Sequence, residues 1–306
     1  MENLPIPSGV VTLIAFFVML GLLVLVHELG HFLTAIWLGI KVDEFGLGYP
    51  PRAVTLFERN GVKYTLNWLP IGGFVRIAGE NGLEGHVPPN RQFDTKLWWQ
   101  KSIVLVAGVV CNILLAIILF TGAYMIGMPT ISDSGTPTVV TIVANSPAHE
   151  AGIVAGDTIT SVVVGGVPVA PITTDALRAS VKNNRGTVAI SYVHEGSTHE
   201  VVVTPKDTPD GKMIGIGIQP IKNVKLSFLH AAISAVAQIC SLVVGIWNTL
   251  AGLVVGLFTG TGSAQGLTGP VGLVKEVGNA AAIGFAYLLA FTAAISVNLA
   301  VLNIMP

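Results

Sequence analysis

Charge is what this 306-residue chain has little of: only 11% of its residues are Asp, Glu, Lys or Arg, and these are unevenly placed. Residues 3–26, 102–132, 226–274 and 277–306 contain none of them. Each stretch exceeds the ~20 apolar residues that carry a helix across a bilayer, which excludes a simple soluble globule. A hydrophobic content of 52% excludes a disordered chain as well. The net charge of −1, from 16 basic and 17 acidic residues, excludes an electrostatic nucleic-acid partner. The two cysteines, Cys111 and Cys240, both fall inside apolar stretches as small hydrophobes, so there is no disulfide framework and no CxxC metal motif. The first apolar run has no basic segment before it and no small-residue cleavage site after it, so it reads as a span and not as a cleaved signal peptide.

What is present divides the chain into an N-terminal membrane part over residues 1–132, a module over 133–225 and C-terminal membrane segments over 226–306. The first span is expected over residues 9–40 and the second over 102–127. Between them, residues 39–101 carry Lys41, Arg52, Arg59, Lys63, Arg76, Arg91, Lys96 and Lys101, whereas the residues before the first span carry no basic group. Basic flanks stay in the cytoplasm, which predicts an outer N-terminus, an inner 39–101 segment and an outer 133–225 module. Within 42–77, the β-prone runs Ala53–Phe57 and Val62–Trp68 flank Asn60-Gly61, a strong hairpin signal, and their apolar content predicts a hairpin lying against the membrane part. Trp98-Trp99 beside Lys96 and Lys101 reads as an interfacial anchor. The fold class is therefore a multi-pass α-helical membrane protein with a membrane-associated β-hairpin region and an inserted α+β module.

The chemistry is concentrated in His27-Glu28-Leu29-Gly30-His31. On a helix, positions i and i+4 share a face, so both imidazoles can hold one zinc ion while Glu28 reaches the water that the zinc activates. An HExxH match on a soluble helix is often a surface accident. Inside a span the balance differs, because an ionisable group at mid-bilayer costs about 2.5–3.5 kcal/mol and persists for a function. Asn112, Asn298 and Asn303 are polar groups in otherwise apolar runs, each expected either to bond between helices or to hold a substrate backbone or oxyanion.

The order of these motifs resembles the site-2 protease family of zinc intramembrane proteases along essentially the whole chain. The HExxH helix matches His27, Glu28 and His31; the Pro-x-Gly-Gly hairpin segment matches Pro70, Gly72 and Gly73; the Gly-x-x-x-Asn motif of the second span matches Gly108 and Asn112. The Gly-Pro-Val-Gly link matches Gly269–Gly272, and the Asn-x-x-Pro segment matches Asn303 to Pro306. Ser146 to Asp157 resembles the Ser-Pro-Ala-x-x-Ala-Gly-x-x-x-Gly-Asp pattern of a bacterial protease PDZ domain, which makes 133–225 an expected PDZ domain binding peptide termini. The resemblance implies a bacterial cytoplasmic-membrane endopeptidase with one zinc ion near the cytoplasmic side. Its substrates would be single-span membrane proteins, such as anti-sigma factors, already trimmed outside by another protease.

In that family the last segment continues into Leu-Asp-Gly, whose aspartate is the third zinc ligand. The chain as given stops at Pro306, so it is expected to be a truncated form, inactive on its own. Two alternatives are a non-catalytic membrane PDZ scaffold and an HExxH protease using Glu276 as third ligand. Topology adds an expectation: if 280–306 runs from outside to inside, residues 228–258 lie partly in the interface or re-enter and do not cross once.

Overall fold

The computed structural model describes residues 8–82, 84–183, 186–194, 196–208, 211–259 and 269–304. Met305 and Pro306, part of the Asn-x-x-Pro match above, lie outside them. The chain begins with α1 (Ser8–Trp37), β1 (Val42–Arg59), β2 (Val62–Ile77), α2 (Trp98–Ile126) and β3 (Met128–Ile142). It continues through α3 (Pro147–Glu150), β4 (Thr158–Val164), β5 (Val167–Pro168), α4 (Thr174–Asn183), β6 (Val188–His194) and β7 (Ser197–Val203). Last come β8 (Lys206–Thr208), β9 (Gly211–Met213), β10 (Ile216–Val224), α5 (Phe228–Thr259), α6 (Pro270–Ile283) and α7 (Phe285–Ile304). Two compact units result: Met1–Gly122 with Phe228–Val274 and Leu289–Pro306, and Ala123–Ser227 with Lys275–Leu288.

In the first unit, α1, α2, α5 and α7 are each long and apolar enough to cross a membrane. The uncharged sequence leaves no polar face to hydrate, so the helices satisfy their backbone internally and turn apolar side chains outward, as lipid requires. Helix α5 is continuous over Phe228–Thr259.

The hairpin turns at Asn60 (φ 54°) and Gly61 (φ 75°), both left-handed as an Asn-Gly turn demands. It is larger than the two short runs suggested, because each strand is bent into two passes. Residues 44–47 are partnered by 63–66 on one side and by 73–76 on the other, while 54–59 pair with 62–66. The passes therefore lie in the order 54–59, 62–66, 44–47, 73–76. Phe45 and Tyr64 pack on Phe32 of α1 at centroid separations of 5.0 and 6.0 Å, and Val42, Val62 and Ile77 are buried with Ala35 and Val104. The base of the hairpin is thus part of the helical core.

The second unit is a sheet in the order β10-β3-β4-β6-β7, with β5 beside β4. Its core unites Val139, Ile159, Val162, Ile190 and Ile218 with Leu177 and Val181 of α4. Ser146 caps α3 by accepting from His149 N, and Pro147 occupies the first helical turn. Gly156 is left-handed (φ 99°), and a Cβ there would come within 3.0 Å of the Ala282 carbonyl, so α6 packs directly on this turn. Thr174, at the start of α4, ties the helix to β10: its hydroxyl donates to the Ile218 carbonyl at 2.7 Å and accepts from the Ile218 N–H at 2.6 Å. Ile218 is buried, so Thr174→Val should leave both backbone groups unpaired and cost about 1–3 kcal/mol. Thermal unfolding of the purified protein measures this, and an unchanged midpoint would show the contact to be idle.

Candidate active site

Helix α1 carries His27 and His31 one turn apart, both half-buried, with Glu28 between them. Their Nε2 atoms stand 3.2 Å apart, and the rings meet edge-on at 4.8 Å. Zinc–nitrogen bonds of 2.0–2.1 Å at a tetrahedral angle put two nitrogens about 3.3 Å apart. The spacing is thus the one that two imidazoles adopt around a single ion. Two lone pairs aimed at each other repel unless a cation or proton lies between them, so the arrangement itself asks for one.

The far side of each ring supports this. His31 Nδ1–H donates to the Val104 carbonyl of α2 at 2.7 Å, which leaves Nε2 with its lone pair. The Asn112 amide lies 3.3 Å from His27 Nδ1, and Asn112 Oδ1, fully buried, has no partner in the amide orientation drawn. Turning the amide by 180° places Oδ1 where it accepts from Nδ1–H, which pairs the orphaned oxygen and frees His27 Nε2. The donor set present therefore fits a zinc ion held by two neutral imidazoles. Among the described residues, no third His, Cys, Asp or Glu stands with the pair.

Two glycines allow the helices to meet this closely. A Cβ on Gly30 would stand 2.5 Å from the Ala107 carbonyl oxygen, and one on Gly108 would stand 2.6 Å from both His27 Cε1 and His31 Nε2. Gly108 is thus the bare wall against which both rings lie. On another side of α1, Gly72 (φ 83°) lies 3.5 Å from Val24, measured from its Cβ position, and Gly73 lies 3.6 Å from Glu28 Cγ. The Val75 backbone N–H faces the Glu28 carboxylate. The last pass of the hairpin therefore runs along α1 and reaches Glu28 with backbone, not side chains.

The remaining sequence candidates fare differently. Asn112 is at the histidines, but Asn298 and Asn303 are exposed on α7, and Gly269 has open space around its Cβ position. Sequence reasoning missed Ser296, fully buried on α7, whose hydroxyl donates to the Asn112 carbonyl at 2.8 Å. It also missed the Val104 carbonyl, a backbone group that no residue pattern can reveal.

A pair of zinc-ready histidines with an adjacent carboxylate on a membrane-length helix defines a class, the membrane metallopeptidases. The family model described as Peptidase family M50, that of the site-2 proteases, matches residues 15–306, and the chain belongs to that family. A Clostridium acetobutylicum protein named as a candidate zinc metalloprotease is 32% identical over 298 residues, covering 97% of this chain and 82% of its own length. Similarly named proteins of Staphylococcus aureus strain MRSA252 and Rhizobium meliloti are each 29% identical, covering 98% and 96% of this chain and 87% and 83% of their own lengths.

Gly108→Ala should force the rings apart, and the overlap, worth about 1–3 kcal/mol, should lower zinc affinity roughly tenfold or more. Zinc retained on the purified variant during titration with a chelator measures it, and wild-type retention would contradict the role given to Gly108.

Proposed function

We propose that this protein is a zinc-dependent endopeptidase that cleaves peptide bonds within or beside transmembrane segments, with His27 and His31 as zinc ligands and Glu28 as general base and acid. The observation that carries this is the convergence of two Nε2 atoms at 3.2 Å with their opposite nitrogens engaged. One bound zinc ion would polarise the scissile carbonyl and lower the pKa of a water molecule to about 7. Glu28 takes a proton from that water as its oxygen adds to the carbonyl carbon, then delivers the proton to the amide nitrogen as the C–N bond breaks. Asn112 and the Val104 carbonyl hold the imidazoles in tautomer and orientation.

In this reading a third ligand completes the site, the role that the family resemblance gives to the aspartate of a Leu-Asp-Gly motif, and α7 is the helix placed to bring it. Two contacts support it. Gly122 meets Leu289 at 4.0 Å from its Cβ position, and Asn112 meets Ser296, so α7 runs antiparallel to α2. Asn303 lies about 10 Å beyond Ser296 along α7, while Val104 lies about 12 Å beyond Asn112 along α2, so Asn303 itself stands at about the depth of His31.

A substrate helix must unwind before its backbone can react, and an unwound segment can pair with a strand edge. The hairpin keeps two open edges, one along 54–59 and one along 73–76, and the second lies beside Glu28. The usable backbone is the last pass, at Gly72 and Gly73, beside Glu28. The second unit has the role of a PDZ domain that receives a peptide terminus. A cavity of about 260 Å³ between α4 and the start of β10 is lined by Leu177, Arg178, Val181, Lys212 and Ile216. Thr174 already occupies the Ile218 edge, so the open edge is short and suits a chain end, such as that of a trimmed anti-sigma factor.

Antiparallel α1–α2 and α2–α7 pairing also bears on topology. With the N-terminus outside, α7 runs outside to inside, so α5 must start and finish on the outer side and lies along the membrane surface.

Glu28→Gln should keep zinc and lose activity on a membrane-spanning substrate by about 10²–10⁴-fold. Equal cleavage by both forms would remove the mechanism. Single cysteines at Ser227 and Thr259 should both react with an impermeant thiol reagent from the outer face, and labelling of Thr259→Cys from the cytoplasmic face alone would overturn the placement of α5.

A further inference from the structure

Glu44 lies in the third pass of the hairpin order and is only 3% exposed. Its carboxylate ties neighbouring parts of the hairpin together. Arg52, in the bend that leads into the outermost pass, donates from Nε to Oε1 at 3.0 Å and from Nη2 to Oε2 at 2.5 Å. Thr65 donates to Oε1 at 2.8 Å, and Arg76 of the last pass brings Nη1 to 3.8 Å from Oε2. Burial by itself would raise the Glu44 pKa, but the bonds from Arg52 and Thr65 and the charges of Arg52 and Arg76 outweigh it and hold the group below its ordinary value. The carboxylate is thus a permanent anion at the centre of the sheet.

The last pass meets α1 at two places: Ile77, with Val75 packed beside it, is buried with Phe32 and Ala35, whereas Gly72 and Gly73 next to Glu28 bring no side chains to fix their position along the helix. Its exact placement nevertheless matters, since Gly73 comes within 3.6 Å of Glu28 Cγ from its Cβ position and the Val75 backbone, next to Arg76, faces the same carboxylate. We propose that Glu44 is a positioning residue for peptide-bond cleavage: by tying Arg76 and the neighbouring passes together, it holds the Gly73–Val75 backbone against Glu28, where both the carboxylate and an unwound substrate segment are aligned. This rests on the endopeptidase reading above. Glu44 itself touches neither substrate nor metal, and the arginines make it unfit to carry a proton.

The test uses the full-length protein in lipid nanodiscs with a membrane-spanning substrate. Glu44→Gln keeps the shape but removes the charge shared by both arginines. It should lower kcat about tenfold or more, leave KM within about twofold, and speed amide hydrogen exchange in the peptide spanning 72–77. Glu44 and Arg76 are cross-strand partners, so the double variant Glu44→Cys with Arg76→Cys can restore the tie without a carboxylate. Oxidised, it should recover kcat to within about threefold of wild type, and reduction should remove the gain. Wild-type kcat in Glu44→Gln, a loss confined to KM, unchanged exchange over 72–77, or equal activity of the oxidised and reduced double variant would each overturn the proposal. If Glu44→Gln fails to fold, the redox pair decides alone. Glu28→Gln measured alongside separates the two ideas: full activity there would remove the endopeptidase reading, whereas Glu44 is judged only on an enzyme that needs Glu28.

Discussion

The site depends on one steric condition, that α1 and α2 touch backbone to backbone at Gly30 and at Ala107–Gly108. Lipid offers no hydrophobic drive for helices to associate, so close packing between small residues has to do it. Here the same contact also builds the chemistry. With no side chain on Gly108, both imidazoles come close against α2, and the Val104 carbonyl and Asn112 fall within reach of their outer nitrogens. A larger residue at either glycine would separate the histidines from the groups that orient them. Packing and ligand geometry are therefore a single constraint, and Ser296 extends it to α7 by holding the Asn112 backbone.

A second use of glycine follows on the hairpin side. Gly72 and Gly73 bring a strand along α1 over the length from Val24 to Glu28, and Gly72 adopts a left-handed backbone that other residues rarely tolerate. The missing side chains leave the Glu28 carboxylate facing peptide groups. That is what a protease needs at this point, because an extended substrate presents peptide groups and little else in common.

How much of this the sequence disclosed follows from which atoms do the work. His27, Glu28 and His31 were legible because side chains at helical spacing announce themselves, and Asn60-Gly61 because its turn admits few residues. The four-pass form of the hairpin was not legible: its pairing of 44–47 on both sides is set by bends within β1 and β2, not by hydrophobic alternation. Val104 contributes a carbonyl, and every residue has one. Ser296 was a lone hydroxyl in an apolar run, indistinguishable from a back-bonding helix serine. Asn298 and Asn303 attracted attention as polar residues in an apolar run, and the structure places both on the exposed side of α7, away from the histidines.

Two buried or half-buried carboxylates in the first unit show how surroundings assign roles. Glu44 has two arginines and a threonine around it, so its negative charge is fully compensated and a proton gains nothing by binding there. Glu28 has the Val75 backbone N–H and, among the described residues, no ion-pair partner. A single neutral donor orients a carboxylate without satisfying its charge, which leaves it able to accept a proton. The arginines that make Glu44 structurally useful would, if placed at Glu28, have cost it its basicity. Keeping the cations of this segment three passes away or on the far side of the strand, while sending only backbone to Glu28, is therefore as much a part of the site as the histidines are.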